Sequence, residues 1–183
     1  PLIPQNMACS ITVSGRSFPC KDKIGGIKRV WIAQFEADEW GTIAAGVIPG
    51  AGANGDASTP VVFKNFELTK NTGSFQQTVT SSVENGTVFF SQVVELTMPN
   101  LDAVDNTEIY ELMKGRLSII IQDNNDNYIL MGHTTGAEAT GGTVGTGTAK
   151  GDLNGYQLQF TAEEAIPAPF VSSSDSLLTF TTV

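Results

Sequence analysis

Few residues of this chain form a pattern that could carry chemistry, and an alternation of acidic and amide side chains is the first of them. Asp123, Asn125 and Asn127 follow the spacing of the first ligands in a calcium-binding EF-hand loop. Tyr128 then stands where that loop needs a glycine, and Thr134 where it needs a glutamate. Strands, not helices, are expected on both sides. The sequence therefore predicts a polar hairpin turn here and no metal site.

A second pattern is the glycine-rich stretch Gly145-Thr-Gly147, which is faintly similar to a phosphate-binding loop because Lys150 follows it. The lysine, however, comes after Ala149, and Asp152, which follows it, is not a serine or threonine ligand. A strand is also expected where a phosphate loop leads into a helix N-terminus. We therefore expect no phosphate or other cofactor site.

Nucleophilic catalysis has one candidate base, His133, which follows a predicted strand among threonines and glycines. No spacing pairs it with a nucleophile, and Cys9 and Cys20 are distant in the sequence. Those two thiols could close a disulfide if neighbouring strands bring them together, but two reduced, buried thiols are the favoured alternative. The chain has no Cys-x-x-Cys pair and no histidine cluster, so zinc is not expected.

The paired carboxylates have structural explanations. Asp102 and Asp105 suit the positive first turn of a helix, and Glu163 with Glu164 lies at the exit of a strand. The run Asn85-Gly-Thr87 matches a glycosylation acceptor but is accounted for by a hairpin turn. We therefore predict no catalytic, cofactor-binding or metal residue, and we do not expect an enzyme.

The most regular apolar patterning lies between residues 75 and 132 and predicts a hairpin, a helix and a second hairpin. Asn85-Gly86 separates two β-rich runs, and it favours a tight primed turn because both residues tolerate positive φ. The second hairpin turns over residues 123–127. The predicted strands of the two hairpins are 75–83, 87–98, 116–122 and 128–131.

Between the hairpins, the apolar spacing changes to three and four residues and predicts one amphipathic helix over residues 101–114. Asn100 is the predicted N-cap and Gly115 the predicted C-cap. The expected inward face consists of Leu101, Val104, Glu108 or Ile109, and Leu112.

The remaining apolar runs predict further strands. Residues 27–35 are apolar on both faces, which is typical of a sandwich or barrel interior, with Val30 and Ile32 on one face. The opposite face of that strand is predicted to hold Ile27, Arg29, Trp31, Ala33 and Phe35. Other predicted strands are 9–13, 61–68, 153–161 (Tyr156, Leu158 and Phe160 on one face) and 177–182. The expected fold is mainly β, an antiparallel sandwich or barrel with one flanking helix, in a single domain over residues 1–183.

Composition points to a protein with long connecting segments and an acidic surface. Residues 1–8 are expected to form an arm, 41–60 and 133–151 long loops rich in small residues, and 171–183 a tail. The net charge of −9 opposes binding along a nucleic-acid backbone. The chain has no run of about 18 apolar residues, so membrane insertion is not expected, and its first residues lack a secretory-signal pattern.

Several phrases of this sequence together resemble one family, the major tail tube proteins of tailed bacteriophages, as found in phages of Bacteroidetes and related gut and marine phages. The resemblance spans roughly residues 8–171 and lies in turns and strand edges. The phrases that carry it are Ala8-Cys-Ser-Ile-Thr12, Cys20-Lys-Asp-Lys-Ile-Gly-Gly-Ile-Lys28, Glu84-Asn-Gly-Thr87, Gly115-Arg116, Asp123-Asn-Asn125 with Asn127-Tyr128, and Thr148-Ala-Lys-Gly-Asp-Leu-Asn-Gly-Tyr156.

The resemblance implies a virion structural protein that forms stacked hexameric rings. In such a tube the inner sheets join into a continuous barrel, and a long loop with the termini bridges neighbouring rings. Residues 41–60 or 133–151 could be that loop. The implied partners are further copies of the chain and other tail or neck proteins, with DNA passing through an electronegative channel without specific binding. The implied location is the virion, and the host cytoplasm during assembly.

Three alternatives stay open at this level. The first is another ring-forming tail or neck protein, and the second is a β-sandwich module that binds carbohydrate or a cell surface. The third is a small hydrolase that uses His133. A carbohydrate module needs clustered exposed aromatic side chains. The candidates are scattered along the chain: Trp31, Trp40, Tyr110, Tyr128 and Tyr156.

Overall fold

The structure is a computed structural model, and it describes residues 15–16, 21–36, 40, 43, 45–48, 61–172 and 178–181. For residue 61 and residues 178–181, only the backbone is described. The strands are β1 (Ile27–Gln34), β2 (Val47–Ile48), β3 (Val61–Glu67), β4 (Gly73–Ser82), β5 (Thr87–Pro99), β6 (Leu117–Asp123), β7 (Tyr128–Met131), β8 (Glu138–Gly145), β9 (Gly155–Glu164), β10 (Phe170–Val171) and β11 (Leu178–Thr181), and the helix is α1 (Ala103–Leu112).

These strands form two sheets. A seven-stranded sheet has the order β11-β3-β1-β6-β7-β10-β2, and a four-stranded sheet has the order β4-β5-β9-β8. All pairings are antiparallel except β10 with β2 and β11 with β3. The prediction of a mainly β, antiparallel-rich sandwich with one helix is confirmed.

The core has two layers because the seven-stranded sheet is buried on both faces. Toward the four-stranded sheet, Val30 and Ile119 pack in one cluster with Leu158 and Phe160 of β9. On the opposite face, Trp31 and Phe63 belong to a second cluster, which includes Trp40 and Ile48. The prediction that the strand at residues 27–35 is apolar on both faces is therefore confirmed.

The predicted side assignment of β1 is wrong at its first residue. Ile27 lies in the same cluster as Val30 and Ile32, not with Trp31 and Ala33. The cause is a register shift between Ile27 and Arg29 in the pairing with β6. A bulge of this kind adds one residue and reverses the alternation on one side of it.

Both predicted hairpins form, but the first turn differs from the prediction. Ser82 pairs with Thr87, so four residues, 83–86, make the connection instead of the tight primed turn predicted between residues 83 and 87. Gly86 has the positive φ, 62°, whereas Asn85 does not, and the Asn85 amide donates to the Ser82 hydroxyl at 3.3 Å. The glycine is needed in this turn, and the asparagine is not needed for its φ.

The helix is shorter than predicted and has a different N-cap. Asn100 lies in the left-handed region at φ 80°, and the extended Asp102 caps α1 by accepting from the Ala103 amide at 2.6 Å. The C-cap is Met113, not Gly115. The predicted inward face is wrong at Val104, which is 64% exposed.

The contacts of α1 with the core are few. Ile109 is the buried residue of the helix, and Leu101 and Leu112, which flank it, are partly buried against the core. The Tyr156 hydroxyl donates to the Asp102 carbonyl at 3.1 Å and ties the helix start to β9.

Two segments predicted as long loops contain strands. Residues 133–151 include β8, and residues 41–60 include β2, whose Ile48 is fully buried. Strand β8 was not predicted because its Ala, Gly and Thr residues show no clear alternation of apolar and polar side chains. The final strand expected within residues 177–182 is present as β11. The arm at 1–8, the strand at 9–13, and Cys9 and Cys20 lie outside the described residues.

Candidate assembly surface

The turn that resembles a calcium loop is saturated by its own hydrogen bonds. The Asp123 carboxylate accepts from the Asn125 and Asn127 amides at 2.8 Å each, and from the Asn127 side chain at 2.7 Å. Burial opposes ionisation of Asp123, but the bonds from Asn127 and Asn125 outweigh it and lower its pKa below the ordinary 3.8. Within the described part of the chain, no three His, Cys, Asp or Glu side chains are grouped to hold a metal ion.

The same turn also anchors the segment that precedes β1. The Asn125 side chain exchanges two hydrogen bonds with the backbone of Ile24, at 2.8 and 3.1 Å. The Asn124 side chain donates to the Gly25 carbonyl at 2.7 Å. The asparagines of this turn therefore hold the preceding segment in place by hydrogen bonds. This structural role explains their presence without a bound ligand.

The glycine-rich stretch after β8 is closed by its own carboxylate. Asp152 accepts from the Thr148 amide at 2.9 Å and from the Ala149 amide at 2.7 Å. Because these bonds favour the ionised form, the pKa of Asp152 lies below its ordinary value of 3.8. The backbone donors that a phosphate would need are occupied.

Glu164 is the buried charge that the sequence reasoning missed. Strand β9 continues to Glu164, so Glu163 is exposed and Glu164, with 2% of its surface accessible, faces inward. Its Oε1 accepts from the Thr134 and Thr135 amides at 2.9 Å each, and from the Thr135 hydroxyl at 3.1 Å. The alternation that places Tyr156, Leu158 and Phe160 inward, if continued for four more residues, would have predicted that Glu164 also points inward.

His133 lies beside this carboxylate but does not form a catalytic arrangement with it. Its Nδ1 contacts the Thr134 hydroxyl at 3.0 Å. Burial lowers the pKa of His133 below its ordinary 6.5, and the charge of Glu164 offsets part of that shift. In the described chain, His133 Nε2 and Glu164 Oε2 are buried without a hydrogen-bond partner. A base oriented by a carboxylate, as a hydrolase needs, is therefore not assembled here.

The outer face of the four-stranded sheet is the most distinctive surface. Side chains alternate along each strand, so the neighbours of the buried Val94, Leu96, Leu158 and Phe160 point outward. Hydrogen bonds across that face link Thr140 with Thr161, and Thr143 with Gln157. The outward residues are Ser74, Gln76, Thr78, Thr80, Ser82, Thr87, Phe89, Ser91, Val93, Glu95, Thr97, Glu138, Thr140, Thr143, Gln157, Gln159, Thr161 and Glu163.

Among the described residues, the charges on this face are all negative. None of the four strands contains a lysine, arginine or histidine. The outward charges are Glu95, Glu138 and Glu163, and most of the other outward side chains are Ser, Thr or Gln. The sheet therefore presents a smooth polar surface that attracts no polyanion.

Both edges of the same sheet are open in the described part of the chain, since β4 and β8 each pair on one side. Strand β4 has ten residues without a charge, a proline or a bulge. Those are the devices by which proteins protect an edge from pairing with another chain. The β4 edge therefore suits pairing with a further strand.

The aromatic side chains of the described residues do not form a binding platform. Trp31 stacks on Tyr128 with ring centroids 5.6 Å apart, and Trp40 packs on Phe63 at 5.9 Å. Tyr156 is buried. Tyr110 is exposed, but the Lys114 ammonium lies 3.7 Å from its ring centroid. This distribution does not favour a carbohydrate-binding surface.

No protein-family model, curated protein or solved structure matches the chain. Among the described residues, no helix is both long and apolar enough to cross a membrane. The fold and the surface chemistry are therefore the observations on which a function can be proposed.

Proposed function

We propose that this chain is a virion structural protein that assembles into stacked hexameric rings and forms the tail tube of a tailed bacteriophage, a channel for DNA passage into the host. One observation on the described residues carries the proposal: the strands of the outer sheet face contain no cation, and this face lies between two unpaired strand edges. Duplex DNA carries one negative charge per about 1.7 Å of its axis, so a cationic channel would hold it. A face of Ser, Thr, Gln and Glu side chains lets it pass.

The two unpaired strand edges would allow the four-stranded sheets of several copies to join and close into a ring. Pairing of the β4 edge of one copy with the β8 edge of the next would continue the four-stranded sheet from copy to copy. When such a head-to-tail contact closes, it gives a ring without free edges. Every outer face then lies on the same side of the ring, and Glu95, Glu138 and Glu163 of all copies line the channel.

Another ring-forming tail or neck protein of a virion is the second candidate, because it needs the same joined sheets and the same non-adhesive channel. In both cases the partners are further copies and other tail or neck proteins. The chain would act in the virion and assemble in the host cytoplasm. The carbohydrate-binding alternative has less support, since the tryptophan and tyrosine side chains are mostly buried.

The channel assignment is tested by reversing its charge. A variant with Glu95, Glu138 and Glu163 all changed to Lys is assembled with duplex DNA and treated with nuclease. The matched control carries Lys at Asp22, Glu36 and Glu67, which are exposed and lie outside the four-stranded sheet. We expect protected DNA with the first variant, and none with the control or the unaltered protein.

Equal protection by the control and the sheet variant would contradict the assignment. A variant with Gln at the three sheet positions removes charge without adding cations. We expect it to assemble and to protect no DNA, because an uncharged face supplies no cation to hold the phosphates. It therefore shows whether protection by the Lys variant requires cations on the channel face.

A further inference from the structure

The hairpin of β4 and β5 extends beyond the rest of its sheet. The last pair between β5 and β9 is Phe90 with Glu164, while β4 and β5 stay paired to Ser82 and Thr87. We call residues 79–88 the hairpin tip. Val79 and Val88 lie on the side of the tip that continues the core face, and Val83 lies in the turn. Their side chains are 56%, 54% and 96% exposed, respectively.

Single exposed valines are ordinary, but three on one projecting tip form an apolar surface that the described part of the chain leaves uncovered. Val79 pairs opposite Phe90, and Val88 lies on the same side of the hairpin. Glu84, beside Val83 in the turn, is the charged residue of the tip. In the described chain it has no cationic partner.

A groove elsewhere on the molecule has complementary features. It lies between α1 and the core-facing side of β3 and β1, and has a volume of about 770 Å³. Val62, Phe66 and Leu112 supply apolar lining, and Val62 is 54% exposed. We call this surface the helix groove.

The charges at the helix groove leave two cations without a carboxylate partner. Lys114 pairs with Glu111 at 3.1 Å. Lys64 and Arg116 have no carboxylate partner in the described residues, and the Arg116 guanidinium lies 4.6 Å from the Phe35 ring centroid. With Glu108 included, three cations and two carboxylates line the groove, which favours an apolar occupant carrying a negative charge.

We propose that the hairpin tip of one copy docks into the helix groove of a second copy, with Val83 in the apolar lining and Glu84 beside Lys64 or Arg116. The inference rests on the proposed self-assembly. The two surfaces differ, so the contact is head-to-tail and repeats from one copy to the next. It is a side-chain contact, separate from the pairing of strand edges.

A photo-crosslinker at Val83 tests the contact directly. Copies carrying benzoylphenylalanine at position 83 are mixed with isotope-labelled unmodified copies, assembled and irradiated. We expect crosslinked peptides from residues 62–66 or 107–117 of the labelled copies. Crosslinks to other regions, or only within one copy, would overturn the proposal.

Charge reversal gives an independent readout. Glu84→Lys and Lys64→Glu should each raise the concentration needed for assembly about 3–10-fold, and their combination should restore it to within about 2-fold. Glu67→Lys and Lys70→Glu are matched controls outside the groove, with little expected effect. A combined variant as impaired as the single variants, with crosslinks elsewhere, would exclude the pairing.

The two proposals fail in different ways. If the unaltered protein stays monomeric at every concentration, self-assembly itself is wrong and the docking falls with it. If the protein forms rings or tubes while Val83 crosslinks outside the helix groove, the docking alone is wrong and the tube proposal stands.

Discussion

Glu164 shows how one residue can join the two sheets. Its carboxylate lies at the end of β9 and receives three hydrogen bonds from the segment that leads from β7 to β8. A buried charge persists only when donors replace the water it loses. The sequence contained the signal for its burial, but two adjacent glutamates near prolines resemble an exposed strand exit.

Removing that acceptor should destabilise the fold. Glu164→Ala leaves the Thr134 and Thr135 amides without their partner, and we expect a loss of about 2–4 kcal/mol in the free energy of unfolding. Glu164→Gln keeps an acceptor and should cost less. The control Glu163→Gln is exposed and should stay within about 0.5 kcal/mol. Urea unfolding followed by fluorescence measures all three, and equal effects at positions 163 and 164 would contradict the burial.

His133 should make stability depend on pH in a defined window. Its pKa is lowered on folding, so the unfolded chain binds a proton near pH 6.5 while the folded chain does not. Stability is therefore complete above that pH and falls as the pH drops below it, by at most about 1.4 kcal/mol per pH unit. Urea midpoints at descending pH should show this slope, and His133→Asn should reduce it.

The carboxylates with lowered pKa values do not interfere with this window. Asp123 and Asp152 have pKa values below 3.8, so their contributions are lost only in stronger acid. An unchanged slope in the His133 variant would assign the pH dependence to another group.

Among the elements, hydrophobic spacing located most strands and the helix, but contacts between elements decided their details. The helix touches the core near Ile109, because its N-terminus is set by Asp102 and its bond to Tyr156. No spacing rule reveals that Asn100 is left-handed, or that β1 contains a bulge. Likewise, β8 could not be predicted, since its pairing with β9 and not its own pattern makes it a strand.

The helix contact can be measured by paired truncations. Ile109→Ala removes a side chain that is 6% exposed, and we expect a loss of about 2–4 kcal/mol. Val104→Ala trims a side chain that is mostly exposed and should change stability by less than about 0.5 kcal/mol. Thermal unfolding of the two variants at one protein concentration provides the comparison. A larger loss at Val104 would mean that the helix presents its other side to the core.

For the whole molecule, the proposed channel depends on where the negative charges lie more than on the net charge. The net charge of −9 was known from the sequence, but it did not reveal which acidic residues share a surface. Among the described residues, the strand register places Glu95, Glu138 and Glu163 on one face without cations, and the sheet order leaves that face between two unpaired edges. Those facts depend on pairings between segments far apart in the chain.

The most direct test of the tail-tube proposal is electron microscopy of the purified protein in negative stain across a concentration series, with light scattering on the same samples. A tail tube protein should form rings that stack into tubes with an open central channel as the concentration rises. A protein that stays monomeric at every concentration, with no particle showing a channel, would contradict it.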